Sequence, residues 1–153
     1  MTKIVTEYYE NGQVKREITY VNDDGHGVEK AYYENGNVMY EIPFLNDKKH
    51  GIAKEYYENG NIWCETPYEN GKKHGIRKEY YKNGKLKYET PFVNGKKQGV
   101  RKRYYENGNV MYEIPYKNGI IHGMVKEYDK DENVIKKALY ENGKIMYEKY
   151  LGN

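Results

Sequence analysis

Four histidines, His26, His50, His74 and His122, recur on one fixed interval, with Gln98 at the remaining place in the row. Imidazole is the commonest metal ligand, so a metal array is the first chemistry to weigh. If each interval adds two β-strands at about 4.8 Å each, neighbouring imidazoles stand roughly 9 to 10 Å apart. Zinc holds its nitrogens about 2.0 to 2.1 Å away, so consecutive members of the row cannot share an ion. We therefore expect turn histidines that bond backbone or pack on a tyrosine, with no metal and no cofactor. Covalent catalysis finds no better footing. The chain has no serine, its only cysteine, Cys64, has no evident base beside it, and its carboxylates recur as periodic surface charges. An active site needs one dissimilar constellation, and near-identical ones predict a protein that is not an enzyme.

Binding chemistry is better represented. Lys48-Lys49, Lys72-Lys73 and Lys96-Lys97 recur on the same interval and would form a basic ridge, while Glu10, Glu34, Glu58 and Glu106 mark the other edge. A solvated rim that keeps an exposed sheet from stacking is one reading of the ridge, and an anion-binding strip is the other. At Ile120-Ile121 two apolar residues replace the lysine pair and mark a candidate contact with a partner or a second copy. Tyr9, Tyr33, Tyr57, Tyr81 and Tyr105 form an aromatic row, first of all structural glue and also a surface able to receive sugar rings or an extended peptide. Trp63, the single tryptophan, is expected to be packed rather than to serve as a ligand platform.

The elements that must position these rows follow from a 24-residue repeat, visible in the tyrosine pairs Tyr8-Tyr9, Tyr32-Tyr33, Tyr56-Tyr57, Tyr80-Tyr81 and Tyr104-Tyr105. A period of this size marks an array in which each supersecondary unit depends on its neighbours for burial. Five full repeats span residues 8–31, 32–55, 56–79, 80–103 and 104–127, and residues 128–153 read as a degenerate C-terminal cap in which Tyr140-Glu141-Asn142-Gly143 restarts the hairpin motif early. The segment from Tyr32 to Pro43 recurs residue for residue as Tyr104 to Pro115, which points to growth by duplication. The first long turn, Asn22-Asp23-Asp24-Gly25-His26-Gly27, lacks the lysine pair.

Two turn signals divide each repeat. Asn-Gly after the tyrosine pair, as in Asn59-Gly60, predicts a tight hairpin with positive φ at both residues. The second turn, as in Asn70-Gly71-Lys72-Lys73-His74-Gly75, reads as a longer loop with a basic tip between two glycines. Between them lie strand-length segments rich in β-branched and aromatic residues, and no window holds helical periodicity. The class is all-β, two strands to a repeat. Pro43, Pro67, Pro91 and Pro115 share one position near the end of the first strand, where the missing donor predicts interrupted pairing in every repeat. Two registers remain open. A two-residue turn sets Lys54 opposite Glu65, with Lys30, Lys78 and Lys102 facing Glu41, Glu89 and Glu113. A three-residue loop with a glycine bulge shifts pairing by one, placing Ile52 and Tyr56 on the face of Ile62, Thr66 and Tyr68, and this register is favoured.

Composition agrees with a thin structure. Tyrosine contributes 20 residues against two Phe and one Trp, in a chain that is 32% charged with a mean hydropathy of -1.13. Aromatics at fixed positions argue against disorder, which is poor in them. A net charge of +3 implies neither nucleic acid nor membrane, and no nucleic-acid partner is expected. One cysteine excludes an intramolecular disulfide. The N-terminal residues have no apolar core of signal-peptide length, so the sequence as it stands predicts a cytoplasmic protein, or a secreted or surface one if a leader has been removed.

The run Tyr68-Glu69-Asn70-Gly71-Lys72-Lys73-His74-Gly75, followed by Tyr80-Tyr81-Lys82-Asn83-Gly84-Lys85-Leu86-Lys87-Tyr88-Glu89, closely resembles the MORN repeat, and within it the bacterial MORN-repeat variant, over nearly the whole chain. It departs from eukaryotic MORN units in its 24-residue period, in its few tryptophans and in Ile76-Arg77 where those units favour glycine. The resemblance implies an elongated, single-layer antiparallel meander of tandem β-hairpins. For function it implies a non-enzymatic binding or scaffold module for a protein partner, with antitoxin-labelled members in the bacterial branch, and a toxin-neutralising or effector-associated module is the leading expectation for this chain. Two alternatives stand beside it: recognition of anionic lipid or cell-surface glycan through the tyrosine and lysine rows, and a structural, self-assembling homo-oligomer joined at its sheet edges.

Overall fold

The computed structural model describes residues 2–21 and 25–151; residues 22–24 of the variant first turn lie outside them. No helix forms among the described residues. The chain divides into two units, the first reaching to Lys73 and including Lys82–Gly84, the second comprising His74–Tyr81 and the chain from Lys85 onward. In the first unit β1 (Lys3–Tyr8), β2 (Val14–Tyr20), β3 (Gly27–Tyr32), β4 (Val38–Leu45), β5 (Lys48–Lys49), β6 (Gly51–Tyr56), β7 (Ile62–Glu69) and β8 (Lys72–Lys73) form an antiparallel meander. In the second, β9 (Gly75–Tyr80), β10 (Leu86–Val93), β11 (Lys96–Lys97), β12 (Gly99–Tyr104), β13 (Val110–Lys117), β14 (Ile120–Ile121), β15 (Gly123–Tyr128), β16 (Val134–Glu141) and β17 (Lys144–Tyr150) do the same.

Of the two turns of the repeat, the one after the tyrosine pair is the favoured three-residue loop, and the one expected to be longer is the shorter. After the tyrosine pair, Gly36 N–H donates to Tyr33 O at 2.9 Å and Tyr33 N–H to Asn37 O at 2.8 Å, closing a three-residue loop in which glycine takes φ 87° while Asn35 stays out of the positive region. The reason is local: Asn35 Oδ1 accepts the Asn37 N–H at 2.9 Å, an Asx turn that occupies the side chain. The supposed longer loop is a two-residue turn. Asn94 and Gly95 take φ 49° and 84°, the positive pair that a type I′ turn requires, and Val93 pairs directly with Lys96. The lysine pairs are thus short strands rather than loop tips.

The register combines both alternatives. Tyr56 pairs with Ile62, as the three-residue loop demands, but Glu55 pairs with Cys64, so Trp63 is an extra residue in a β-bulge. That bulge restores the other register, and Lys54 faces Glu65 after all. The favoured placement of Ile52 beside Thr66 is therefore wrong: Ile52 pairs with Pro67 and is 54% exposed, whereas Thr66 is buried on the opposite face. An alternating charge row results, Glu17, Lys30, Glu41, Lys54 and Glu65 in the first unit and Lys78, Glu89, Lys102, Glu113 and Lys126 in the second. Opposite charges placed directly across strands favour this register by roughly 0.2 to 1 kcal/mol each.

Among the described residues the fully buried side chains lie on the other face, where small side chains sit among long ones. Ala31, Ala53, Cys64 and Thr66 are buried in the first unit, and Thr90, Phe92 and Ala138 in the second. The prolines interrupt pairing as expected. Beyond Phe92–Lys97, β10 meets β12 only from Glu89–Lys102 onward, leaving the Pro91 level unpaired on that side. Pro91 O instead accepts the Gln98 N–H at 3.0 Å, and its ring lies where a Cβ on Gly99 would approach to 3.2 Å. Gly99 also holds φ +104°, a conformation that penalises any L side chain. Gly99→Ala is therefore expected to destabilise the protein by about 1 to 3 kcal/mol in urea unfolding. Gly95→Ala, with open space around its Cβ, should cost less.

Candidate functional site

The repeated polar residues are engaged mainly with the next hairpin. In the first unit Tyr9 Oη donates to Tyr32 O at 2.6 Å and Tyr33 Oη to Tyr56 O at 2.7 Å; in the second Tyr81 Oη donates to Tyr104 O and Tyr105 Oη to Tyr128 O, each at 2.8 Å. Each bond links the second tyrosine of a pair to the tyrosine 23 residues further on. Asparagines extend the link at the turns: Asn35 and Asn37 both donate to Glu58 O at 3.0 and 2.9 Å, and Asn107 and Asn109 to Lys130 O at 3.2 and 2.8 Å.

The histidine row has the same structural use. His50, His74 and His122 each turn Nδ1 toward the N–H of the asparagine opening the next two-residue turn, at 3.4, 3.5 and 3.4 Å. Gln98 fits the row because its Oε1 accepts the equivalent Asn118 N–H at 2.8 Å. What the position needs is a side-chain acceptor of that reach. Among the described residues no group of three or more His, Cys, Asp or Glu side chains is placed to hold a metal ion.

The first tyrosines of the pairs reach the charge row. Tyr56 Oη donates to Glu41 at 3.2 Å, Tyr104 Oη to Glu89 at 2.6 Å and Tyr128 Oη to Glu113 at 2.8 Å. Burial, then the hydrogen bond to Glu113, pushes the Tyr128 phenol up to about 12. On the other face Glu29 accepts from Arg16 Nε at 2.9 Å and Tyr40 Oη at 2.7 Å, and the Arg16 hydrogen bond holds its carboxyl below the usual range. Glu41 is lowered chiefly by its bond to Lys30, 2.9 Å away.

The remaining candidates are dispersed. Lys48, Lys72 and Lys96 are exposed, while Lys49, Lys73 and Lys97 are half-buried. Lys49 Nζ stands 5.4 Å from the Tyr68 ring centre and Lys97 Nζ 4.7 Å from that of Tyr116. Only the first lysine of each pair therefore stands fully at the surface. Ile120 is 51% exposed and Ile121 half-buried, with Ile121 O accepting the Gly143 N–H at 2.9 Å. Trp63, expected to be packed, is instead 36% exposed, because it is the extra residue of its bulge. Sequence reading missed a second exposed feature: Ile52 lies opposite Pro67 in the first unit, and in the second Ile76 lies opposite Pro91 and Val100 opposite Pro115. Ile76 is 51% and Val100 44% exposed. Their alternation with the lysines held the signal, but only the correct register reveals the face.

Comparison with known proteins adds a family. The family model described as MORN repeat variant matches six tandem stretches, residues 1–22, 25–46, 49–70, 73–94, 97–118 and 121–142. No curated protein matches the chain.

Two outcomes test this account of the repeated side chains. Tyr105→Phe is expected to cost about 0.5 to 1.5 kcal/mol in chemical denaturation, whereas His74→Gln should be near neutral and His74→Ala destabilising. Thermal melting should fall at both pH extremes. The Glu29 and Glu41 pairs contribute fully above the unfolded glutamate range of about 4.3 and are lost as pH drops through their depressed values. The Tyr128 contribution is full below about pH 10 and is lost as pH rises toward about 12. A melting temperature that stays flat across both ranges would contradict the assignment.

Proposed function

Since this chain belongs to the MORN repeat variant family, matched across most of its length, we propose that it is a non-catalytic binding module for a protein partner, of the toxin-neutralising or effector-associated kind. One observation carries the reading. The recurrent tyrosines, asparagines and histidines serve bonds between hairpins, yet large apolar side chains at regular strand positions, Ile52 in one unit and Ile76 and Val100 in the other, stay exposed beside lysines. Apolar side chains bounded by charge suit a partner of mixed character, because burial supplies affinity and the rim supplies orientation. The family supports a repeat-based binding or scaffold role in general; the partner class is our own reading.

Affinity capture from native extract followed by titration of the purified partner tests it. Lys48/Lys72/Lys96→Glu changes only exposed lysines, and Ile76→Lys/Val100→Lys changes the apolar positions. Both folded variants should bind at least about tenfold more weakly, a loss of roughly 1.4 kcal/mol. Failure of the wild type to retain any protein, with salt-sensitive sedimentation on anionic vesicles instead, would replace this reading with lipid recognition. Self-association is a second reading with its own support. Among the described residues β1 pairs only with β2 and β17 only with β16, and Ile4, Ile145, Met146 and Tyr150 are exposed on those outer strands. Light scattering over a concentration series separates it from partner binding: a mass that stays monomeric would exclude it.

A further inference from the structure

The second unit holds two arginines with no carboxylate between them. Arg101 and Arg103 stand two residues apart on β12 and so project from one face. Arg103 lies across from Tyr88 on β10 and from Tyr112 on β13, and Arg101 lies across from Ile114. The Arg101 guanidinium carbon is 4.3 Å from the Tyr88 ring centre, and that of Arg103 is 5.6 Å from Tyr88 and 6.0 Å from Tyr112. These five side chains line a cavity of about 250 Å³. The Nε atoms of both arginines are shielded from solvent without a hydrogen-bond partner among the described residues. Ring faces attract a guanidinium, but they leave these N–H donors without a carboxylate or carbonyl acceptor.

The preceding repeat shows what completes such a position. Arg77 corresponds to Arg101 and Glu79 to Arg103, and Arg77 Nη1 forms an ion pair with Glu79. Glu55 and Glu127 hold the same place as Glu79 in other repeats. In the first unit, Arg16 on this face is likewise closed by carboxylates, Glu29 at 2.9 Å and Glu7 at 3.3 Å, with Tyr40 donating to Glu29 as well. Arginine at position 103 thus reverses the sign of the charge that the preceding repeat uses to satisfy the arginine equivalent to Arg101.

We propose that Arg101 and Arg103, framed by Tyr88, Tyr112 and Ile114, receive a glutamate or aspartate carboxylate from an acidic segment of a bound polypeptide. This rests on the protein-binding reading above and assigns the partner an acidic anchor on the face opposite the lysine and glutamate row. Guanidinium pairs match carboxylate oxygens with charge-assisted, directional bonds, and the aromatic and aliphatic walls suit the methylenes of a glutamate side chain.

The test is a titration of the full chain followed by the Nε–Hε resonances of its arginines, with a hexaglutamate peptide, a hexalysine peptide and inorganic phosphate at matched ionic strength as probes. Hexaglutamate should shift the Arg101 and Arg103 signals saturably, and the other two probes should not. Arg103→Gln should weaken hexaglutamate binding by roughly tenfold or more. Arg103→Glu should abolish it by rebuilding the internal pair seen at Arg77 and Glu79, and should raise the melting temperature. Equal shifts with phosphate, no shift with hexaglutamate, or unchanged binding by Arg103→Glu would each overturn the proposal. Full retention of the captured partner by Arg101→Gln/Arg103→Gln would also overturn it while leaving the protein-binding reading in place.

Discussion

A hairpin of this protein owns too little apolar surface to stand alone, so everything rests on the bonds that fasten it to the next one. The tyrosine hydroxyl that reaches the carbonyl 23 residues further along is the clearest of these, seen as Tyr33 to Tyr56 and again as Tyr105 to Tyr128. Each is a modest contribution, about 0.5 to 1.5 kcal/mol. Repeated along with the asparagine contacts, they add inter-hairpin terms within each unit. Stability in such a chain is approximately the sum of weak repeats and strong interfaces. A tyrosine-rich composition follows, because the phenol supplies an apolar body for the sheet and a donor at the end of it.

The same constraint explains the two glycine turns. Short strands must return in register with hairpins on either side, so backbone irregularities recur at fixed places: a bulge at Trp63, and the His50-Gly51 and Gln98-Gly99 breaks beside the prolines. The bulge residue varies among Met39, Trp63, Lys87, Met111 and Ile135, whereas the tyrosine paired just beside it, Tyr32, Tyr56, Tyr80, Tyr104 or Tyr128, stays constant. Variation is tolerated where an extra residue leaves the ladder. It is restricted where a side chain bridges to the neighbouring repeat.

Surface chemistry divides along the same line. Histidines that look like a ligand row are acceptors for turn backbone, which is why Gln98 serves equally well. The second lysine of a pair lies against a tyrosine, as Lys97 does against Tyr116, and only the first stands free for solvent. Exposed apolar positions such as Ile76 and Val100, by contrast, have no counterpart in the bonding scheme of the repeat.

Period, strand class, the absence of helix among the described residues and the breaks at Pro43, Pro91 and Pro115 were legible from residue types alone, because turn chemistry and β-branched content act locally on the backbone. Register was not. Two local signals competed, the loop length near Gly60 and the charge match between Lys54 and Glu65, and their reconciliation by a bulge at Trp63 depends on hydrogen bonds between strands. Since side chains alternate faces, that single extra residue decided that Ile52 is exposed and Cys64 buried. It also decided which face brings Arg101 and Arg103 between tyrosines. Amino-acid order by itself determined what kind of array this is; the three-dimensional pairing determined which residues it shows to other molecules, because a shift of one position inverts every side chain that follows.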